Sequence, residues 1–261
     1  MSAELRDLAL EVAREAAALI AERRSAGVEV ASTKTSLVDV VTEVDRASEA
    51  LILALILAAR PDDSFLGEEG DDVHGTSGVR WIVDPVDGTV NLLYGIPAYA
   101  VSIAAEVDGE VTAGVVINVA SGVEYAAALG HGATRDGVPL RTRPQGPIGQ
   151  RLVGTGFGYL RESRVLQAEL LSHLLPEVRD IRRMGSCALD LCAVAEGALD
   201  AYLEEGVHAW DHAAGGLIAA EAGAVVRCTP GRWGGVAILA VPADGYQEFA
   251  ALVDRIGQFG E

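Results

Sequence analysis

Residues 81–91 read WIVDPVDGTVN, and this stretch constrains the fold more than any other in the chain. An apolar run, Trp81-Ile82-Val83, passes without a spacer into Asp84, Pro85, Val86, Asp87, Gly88 and Thr89. A buried strand thus ends by presenting two carboxylates three residues apart on a rigid turn, since Pro fixes φ and Gly permits a tight backbone. Two readings stand side by side. Asp-Pro and Asp-Gly are ordinary turn dipeptides. Alternatively the carboxylates hold a cation and the Gly88–Thr89 backbone holds an anion. In that case Thr89 caps a short helix through residues 90–95, whose N–H groups face the anion.

Hydrophobic spacing organises the rest. Leu5, Leu8, Val12, Ala16, Leu19 and Ile20 predict an amphipathic helix over 3–24. A polar loop follows, then a second helix over 44–60 that stops before Pro61, a short strand and turn in FLGEEG (65–70), and the strand 79–84. Residues 99–140 read as an antiparallel meander, with Asp108-Gly109 as a hairpin signal. RTRPQGPIGQ (141–150) is the best linker candidate, dividing an N-terminal α+β half (1–140) from an α/β half (151–261). The second half alternates: helix 161–175, strand 178–182, helix 187–197, strand 199–204, helix 211–222, strands 224–228 and 236–240, and a closing helix 243–256. Such alternation argues for layered α/β architecture. GTGFGY (154–159) lacks the G-x-G-x-x-G spacing of a dinucleotide loop and reads as a strand end between the halves.

The 38 Asp and Glu against 20 Lys and Arg give a formal charge of −18. A chain this acidic repels nucleic acid and anionic membranes and attracts divalent cations, although solubility alone accounts for the charge. Cys187, Cys192 and Cys228 have no zinc-type spacing and read as reduced core thiols of a cytoplasmic protein. The first 24 residues lack an apolar signal region, and the longest apolar run, 50–59, is far short of the roughly 20 residues of a membrane span.

The acidic residues gather at element ends: Glu68 and Glu69 after FLG, Asp84 and Asp87 after WIV, Asp211 opening a helix in WDHAAGGLIAAEAGA, and Asp45 at the start of the second helix. Taken singly, Glu68-Glu69-Gly70 is a solvated turn and Asp211 an N-cap. Brought together, the carboxylates repel and resist ionisation, and a hard cation such as Mg²⁺ removes that cost. Ligands from three segments suggest two or more ions, the arrangement used for in-line displacement at phosphorus. His208 and His212 flank Asp211, but His208 precedes the helix, which disfavours a histidine metal pair.

Three blocks in order, GEEG (67–70), DPVDGTVN (84–91) and WDHAAG (210–215), resemble the inositol monophosphatase family over nearly the whole chain. The resemblance implies an alternating αβαβα layered sandwich of the inositol monophosphatase and fructose-1,6-bisphosphatase type. It implies a Mg²⁺-dependent, lithium-sensitive phosphomonoesterase that hydrolyses myo-inositol monophosphate by in-line attack of a metal-activated water. Two to three Mg²⁺ ions are implied, held by Glu68, Asp84, the Val86 carbonyl, Asp87 and Asp211. Gly88 and Thr89 are implied to bind phosphate, Asp45 and Thr89 to orient the attacking water, and Lys34 to lie on a loop beside it. Glu204 falls where the family contacts a polyol hydroxyl, with Ser186, Cys187 and Arg182 along the substrate wall. A homodimer is also implied. Two positions depart from the family pattern: Leu92 replaces a usual Phe, and Cys187 replaces a smaller residue. The shared motifs leave open other esters, among them histidinol phosphate, fructose 1,6-bisphosphate and 3′-phosphoadenosine 5′-phosphate. They also leave open a protein-binding role beside transcription complexes.

Overall fold

The computed structural model describes residues 1–26, 30–33, 40–70, 72–232 and 235–257; Lys34 lies outside them. The helices are α1 (Ser2–Ala26), α2 (Glu43–Ala59), α3 (Thr89–Tyr94), α4 (Arg161–Leu174), α5 (Cys187–Ala195), α6 (Ala209–Glu221) and α7 (Tyr246–Arg255). The strands of the first half are β1 (Val30–Thr33), β2 (Val40–Thr42), β3 (Ser64–Gly67), β4 (Val79–Asp87), β5 (Ala100–Val107), β6 (Glu110–Asn118), β7 (Val123–Ala128), β8 (Ala133–Arg135) and β9 (Val138–Pro139). Those of the second half are β10 (Leu152–Thr155), β11 (Asp180–Arg182), β12 (Ala201–Val207), β13 (Ala224–Pro230) and β14 (Val236–Pro242).

Strands β3 to β9 form one sheet in sequence order, antiparallel except for the β3–β4 pair. A second sheet has the order β11-β10-β12-β14-β13, parallel at β11-β10-β12 and antiparallel beyond. Four apolar clusters separate five layers. Leu5, Val12, Ile20, Ile52 and Ile56 of α1 and α2 meet Trp81, Val83, Val101 and Ile103 on one face of the first sheet. Ile82, Ala104 and Val116 on the opposite face meet Ala188, Ala213, Ala214 and Ile218 of α5 and α6. The other side of α5 and α6 packs Leu191, Val194 and Ala219 on Tyr202, Ile238 and Ala240 of the second sheet. Leu203, Leu239 and Val241 then face Leu170, Leu174, Phe249 and Val253 of α4 and α7. The result is an αβαβα sandwich. Side chains alternate across a strand with period two, so a strand covered on both faces reads as an unbroken apolar run. Trp81-Ile82-Val83 is such a strand.

Three expectations are corrected. The loop before α2 contains a short antiparallel pair, β1–β2. Helix α6 starts at Ala209, so Asp211 lies in its first turn instead of opening it. The stretch holding Asp84 and Asp87 is the end of β4 and not a turn, and its pairing with β5 slips between the two residues. In a regular strand positions i and i+3 face opposite ways; a bulge re-aims one of them, and here both line one cleft. Residues 141–147 carry no regular structure and end in a 3₁₀ turn, Ile148–Gln150. Among the described residues no helix is long and apolar enough to cross a membrane.

Helix α6 lies between the two sheets, which explains its small residues. A Cβ on Gly114 of β6 would come 2.8 Å from the Ala214 carbonyl oxygen, and one on Gly215 would come 3.0 Å from the Ala188 carbonyl oxygen. Replacing Gly114 with Ala is expected to cost about 1–3 kcal/mol of stability through overpacking against helix backbone. Urea unfolding measures it; an unchanged midpoint would show that α6 can yield without cost.

Candidate active site

The cleft, about 520 Å³, opens where the ends of β4 and β12 meet the N-termini of α3, α5 and α6. Glu68, Asp84, Val86, Asp87, Gly88, Thr89, Ser186, Cys187, Glu204 and Asp211 all line it. One ligand oxygen from each of Asp84, Asp87 and Asp211 lies within 4.8 Å of the others. Asp84 accepts the Val86 N–H at 3.0 Å. One oxygen of Asp87 accepts from the Ser186 hydroxyl at 2.6 Å and the Ala188 N–H at 2.7 Å, in the first turn of α5. Asp211 accepts the His208 N–H at 2.5 Å, across the first turn of α6. Each carboxylate is fixed by a backbone donor while the cleft receives its remaining capacity.

Burial governs the charges. It pushes Asp84 and Asp211 well above the usual carboxyl range, and the neighbouring carboxylates, Glu68 foremost, push them further. Asp87 rises to about 7, because burial outweighs the bonds from Ser186 and Ala188 that favour its charged form. This donor set fits a hard divalent cation: oxygen ligands only, close together, carrying a repulsion that a cation would relieve.

Helix α2 supports the site through three residues on one face. Asp45 is buried, accepts the Thr89 hydroxyl at 2.7 Å, and is raised by burial against the bonds from Thr42 and Thr89. Ser48 donates to the Pro85 carbonyl at 3.2 Å. Glu49 accepts the Glu69 N–H at 2.9 Å. A Cβ on Gly67 or Gly70 would lie 2.3 or 2.7 Å from a Glu49 oxygen, so the glycines of GEEG make room for that carboxylate.

Thr89 does not cap α3. Gly88 holds the cap position with φ +99°, and the Thr89 hydroxyl turns to Asp45, with the Val86 carbonyl at 3.1 Å. A Cβ at residue 88 would meet the Ala98 carbonyl oxygen at 2.8 Å, which demands Gly there. Asn91 donates to the Ala98 carbonyl at 2.7 Å and to the Met184 carbonyl at 2.9 Å, tying this turn to the start of α5. Leu92 is fully buried in the first core.

Arg182 is not in the cleft; it is exposed and pairs with Asp180 at 2.6 Å. Its neighbour Arg183 lines the cleft instead, because adjacent residues of an extended segment point opposite ways. Cys187 is buried at the wall, whereas Cys228 is exposed on the edge strand β13 and is not a core thiol. His208 stacks on Trp210, with ring centroids 4.9 Å apart, and lines the cleft, whereas His212 does not line it. Residues to which the sequence gave no site role are Glu49, Arg183, Trp210, Phe157 and Tyr159. Glu49 had a legible signal in its i+4 spacing from Asp45 on a helix, and Trp210 stood in the WDHAAG block; Phe157 and Tyr159 lay in a stretch read as a strand end.

The model of the "Inositol monophosphatase family" matches residues 1–254. The chain is 48% identical over 259 residues to the inositol-1-monophosphatase SuhB of Mycobacterium tuberculosis strain H37Rv, covering 92% of this chain and 89% of that protein. It is 38% identical over 223 residues to the Nus factor SuhB of Pasteurella multocida, covering 84% and 83%. The solved structure of Mycobacterium tuberculosis SuhB superposes with a TM-score of 0.86 at 45% identity, covering 98% of both chains. On this evidence of sequence and fold together, the chain belongs to the inositol monophosphatase family.

Proposed function

We propose that the protein is a Mg²⁺-dependent phosphomonoesterase acting on myo-inositol monophosphate. The observation that carries the reading is the close triad of buried Asp84, buried Asp87 and partly buried Asp211, set beside the Gly88–Thr89 helix start. Glu68, Asp84, Asp87, Asp211 and the Val86 carbonyl are the residues that would hold two to three ions. Bound Mg²⁺ would neutralise the carboxylates, raise the acidity of a water, and draw charge from the phosphate and the leaving ester oxygen. The chain's own groups do the rest. The first N–H groups of α3 have no partner within the helix and receive phosphate oxygens. Thr89 Oγ1 and Asp45 orient the attacking water, and Asp45 Oδ1 accepts the Thr89 hydroxyl proton in a hydrogen bond that fixes its direction. Ser186 and Cys187 form the wall, Arg183 takes the place expected for Arg182, and Glu204 accepts a hydroxyl of the leaving polyol. A homodimer in the cytoplasm, inhibited by lithium, completes the proposal.

A second reading has one observation in its favour, the relative named as a Nus factor. A formal charge of −18 favours a protein partner over direct RNA contact in that role.

The deciding experiment is phosphate release from inositol 1-phosphate, fructose 1,6-bisphosphate, histidinol phosphate and 3′-phosphoadenosine 5′-phosphate, each with Mg²⁺, with EDTA and with added Li⁺. Preference for the inositol ester that vanishes in EDTA and weakens in Li⁺ is expected; release from none of the four would overturn the reading. Asp84→Asn should lower turnover by more than the roughly 10–100-fold that outer partners of a metal site cost. The same variant removes a buried repulsive charge, so in EDTA its melting temperature should equal or exceed that of the wild type. A variant with near-normal turnover would exclude Asp84 as a ligand.

Stability should also depend on pH in a metal-linked way. A carboxyl raised on folding binds more protons in the folded than in the unfolded chain above its ordinary value. Its contribution is therefore greatest at low pH and is lost as pH rises through the folded value, about 7 for Asp87. A cation replaces those protons. The rise in melting temperature on exchanging EDTA for Mg²⁺ should be larger near about pH 8 than near about pH 5.5. Equal rises would show that the triad is not the cation site.

A further inference from the structure

The glycine-rich stretch GTGFGY lacks dinucleotide-loop spacing, and two of its glycines meet the side chains of Tyr202 and Glu204. In the parallel pairing of β10 with β12, Gly154 stands opposite Tyr202 and Thr155 opposite Leu203. Continuing that register brings Gly156 opposite Glu204. A Cβ on Gly154 would lie 3.2 Å from the Tyr202 ring, and one on Gly156 would lie 1.9–2.2 Å from the carboxylate atoms of Glu204. The missing side chains form a slot that holds the ring and the carboxylate in line. Tyr202 and Glu204, two residues apart on a strand, share a face. Tyr202 is fully buried, and its hydroxyl donates to Glu204 Oε2 at 2.5 Å. Cys187 and the Tyr202 ring belong to the same buried cluster.

We propose that Tyr202 is a positioning residue for substrate choice: its hydroxyl and the Gly154–Gly156 slot fix the Glu204 carboxylate so that one oxygen is occupied and the other is offered to a hydroxyl of the leaving alcohol. The inference rests on the reading of Glu204 as a polyol contact. A glutamate side chain has three rotatable torsions, and a carboxylate free to turn loses orientation on each of them. Here one oxygen is tied by a short bond from a fully buried side chain. The enzyme would then distinguish leaving groups that carry a hydroxyl beside the ester from those that do not, while the phosphate end of the cleft treats both alike.

The test compares kcat/KM for inositol 1-phosphate with that for phenyl phosphate, whose leaving group offers no second hydroxyl. The proteins are the wild type, Tyr202→Phe, Gly156→Ala and Glu204→Gln, each checked for cooperative melting. Tyr202→Phe keeps the ring and removes the bond; Gly156→Ala keeps the bond donor and pushes the carboxylate from its slot. The ratio of the two kcat/KM values should fall about tenfold in each of these two variants, the size of one hydrogen bond to a charged group. A merely structural role would lower both esters together and leave the ratio unchanged, which overturns the proposal. If Tyr202→Phe does not fold, the ratio in Gly156→Ala decides alone. A ratio that falls in Glu204→Gln but not in the other two retains the polyol contact and rejects the positioning role. A wild-type ratio near one, unchanged in Glu204→Gln, rejects the polyol contact and the inference with it.

Discussion

The site depends on mutual repulsion among buried carboxylates. Asp84 and Asp87 at the end of β4 and Asp211 in the first turn of α6 lie close enough to share a cation. Burial and the neighbouring charges raise all three, so the folded chain without a cation bears a cost that rises with pH. Much of the local structure keeps these groups from relaxing apart. The bulge between Asp84 and Asp87 turns both into the cleft, and the first turns of α5 and α6 hold Asp87 and Asp211 by backbone N–H groups.

The scaffold resists that repulsion through two helices of different character. Helix α2 presents Asp45, Ser48 and Glu49 to the site, each bonded to a different segment around the cleft: the start of α3, the end of β4 and the GEEG turn. Helix α6 instead presents Ala and Gly to both sheets, so the layers approach closely and the residue in its first turn, Asp211, cannot drift. Polar anchoring from one side and tight apolar packing from the other hold the described walls of the cleft in place. Preorganised groups of this kind stabilise developing charge without reorganising during reaction.

Much of the fold was legible because buried strands and amphipathic helices leave periodic patterns. The long helices, the meander and the alternation of the second half emerged within a few residues of their expected bounds, and Trp81-Ile82-Val83 was recognisable as a buried strand. The pair β1–β2 was missed because three or four residues carry no readable period. Arg182 was chosen over Arg183 because a one-residue shift reverses the facing of a side chain, and nothing local distinguishes the two.

The sequence by itself determined which groups were available and that they stood at element ends: Glu68, Asp84, Asp87, Asp211, Gly88 and Thr89 in an order that resembles one family. It also determined the strong negative charge and the small residues that allow close layers. Only the tertiary structure decided that Asp84 and Asp87 share one cleft, that Glu49 fills the space left by Gly67 and Gly70, and that Gly154 and Gly156 shape a slot for Tyr202 and Glu204. The physical reason is that a glycine in a sequence shows only a missing side chain. What occupies the vacated space comes from strands and helices distant in the chain, and their register alone sets it.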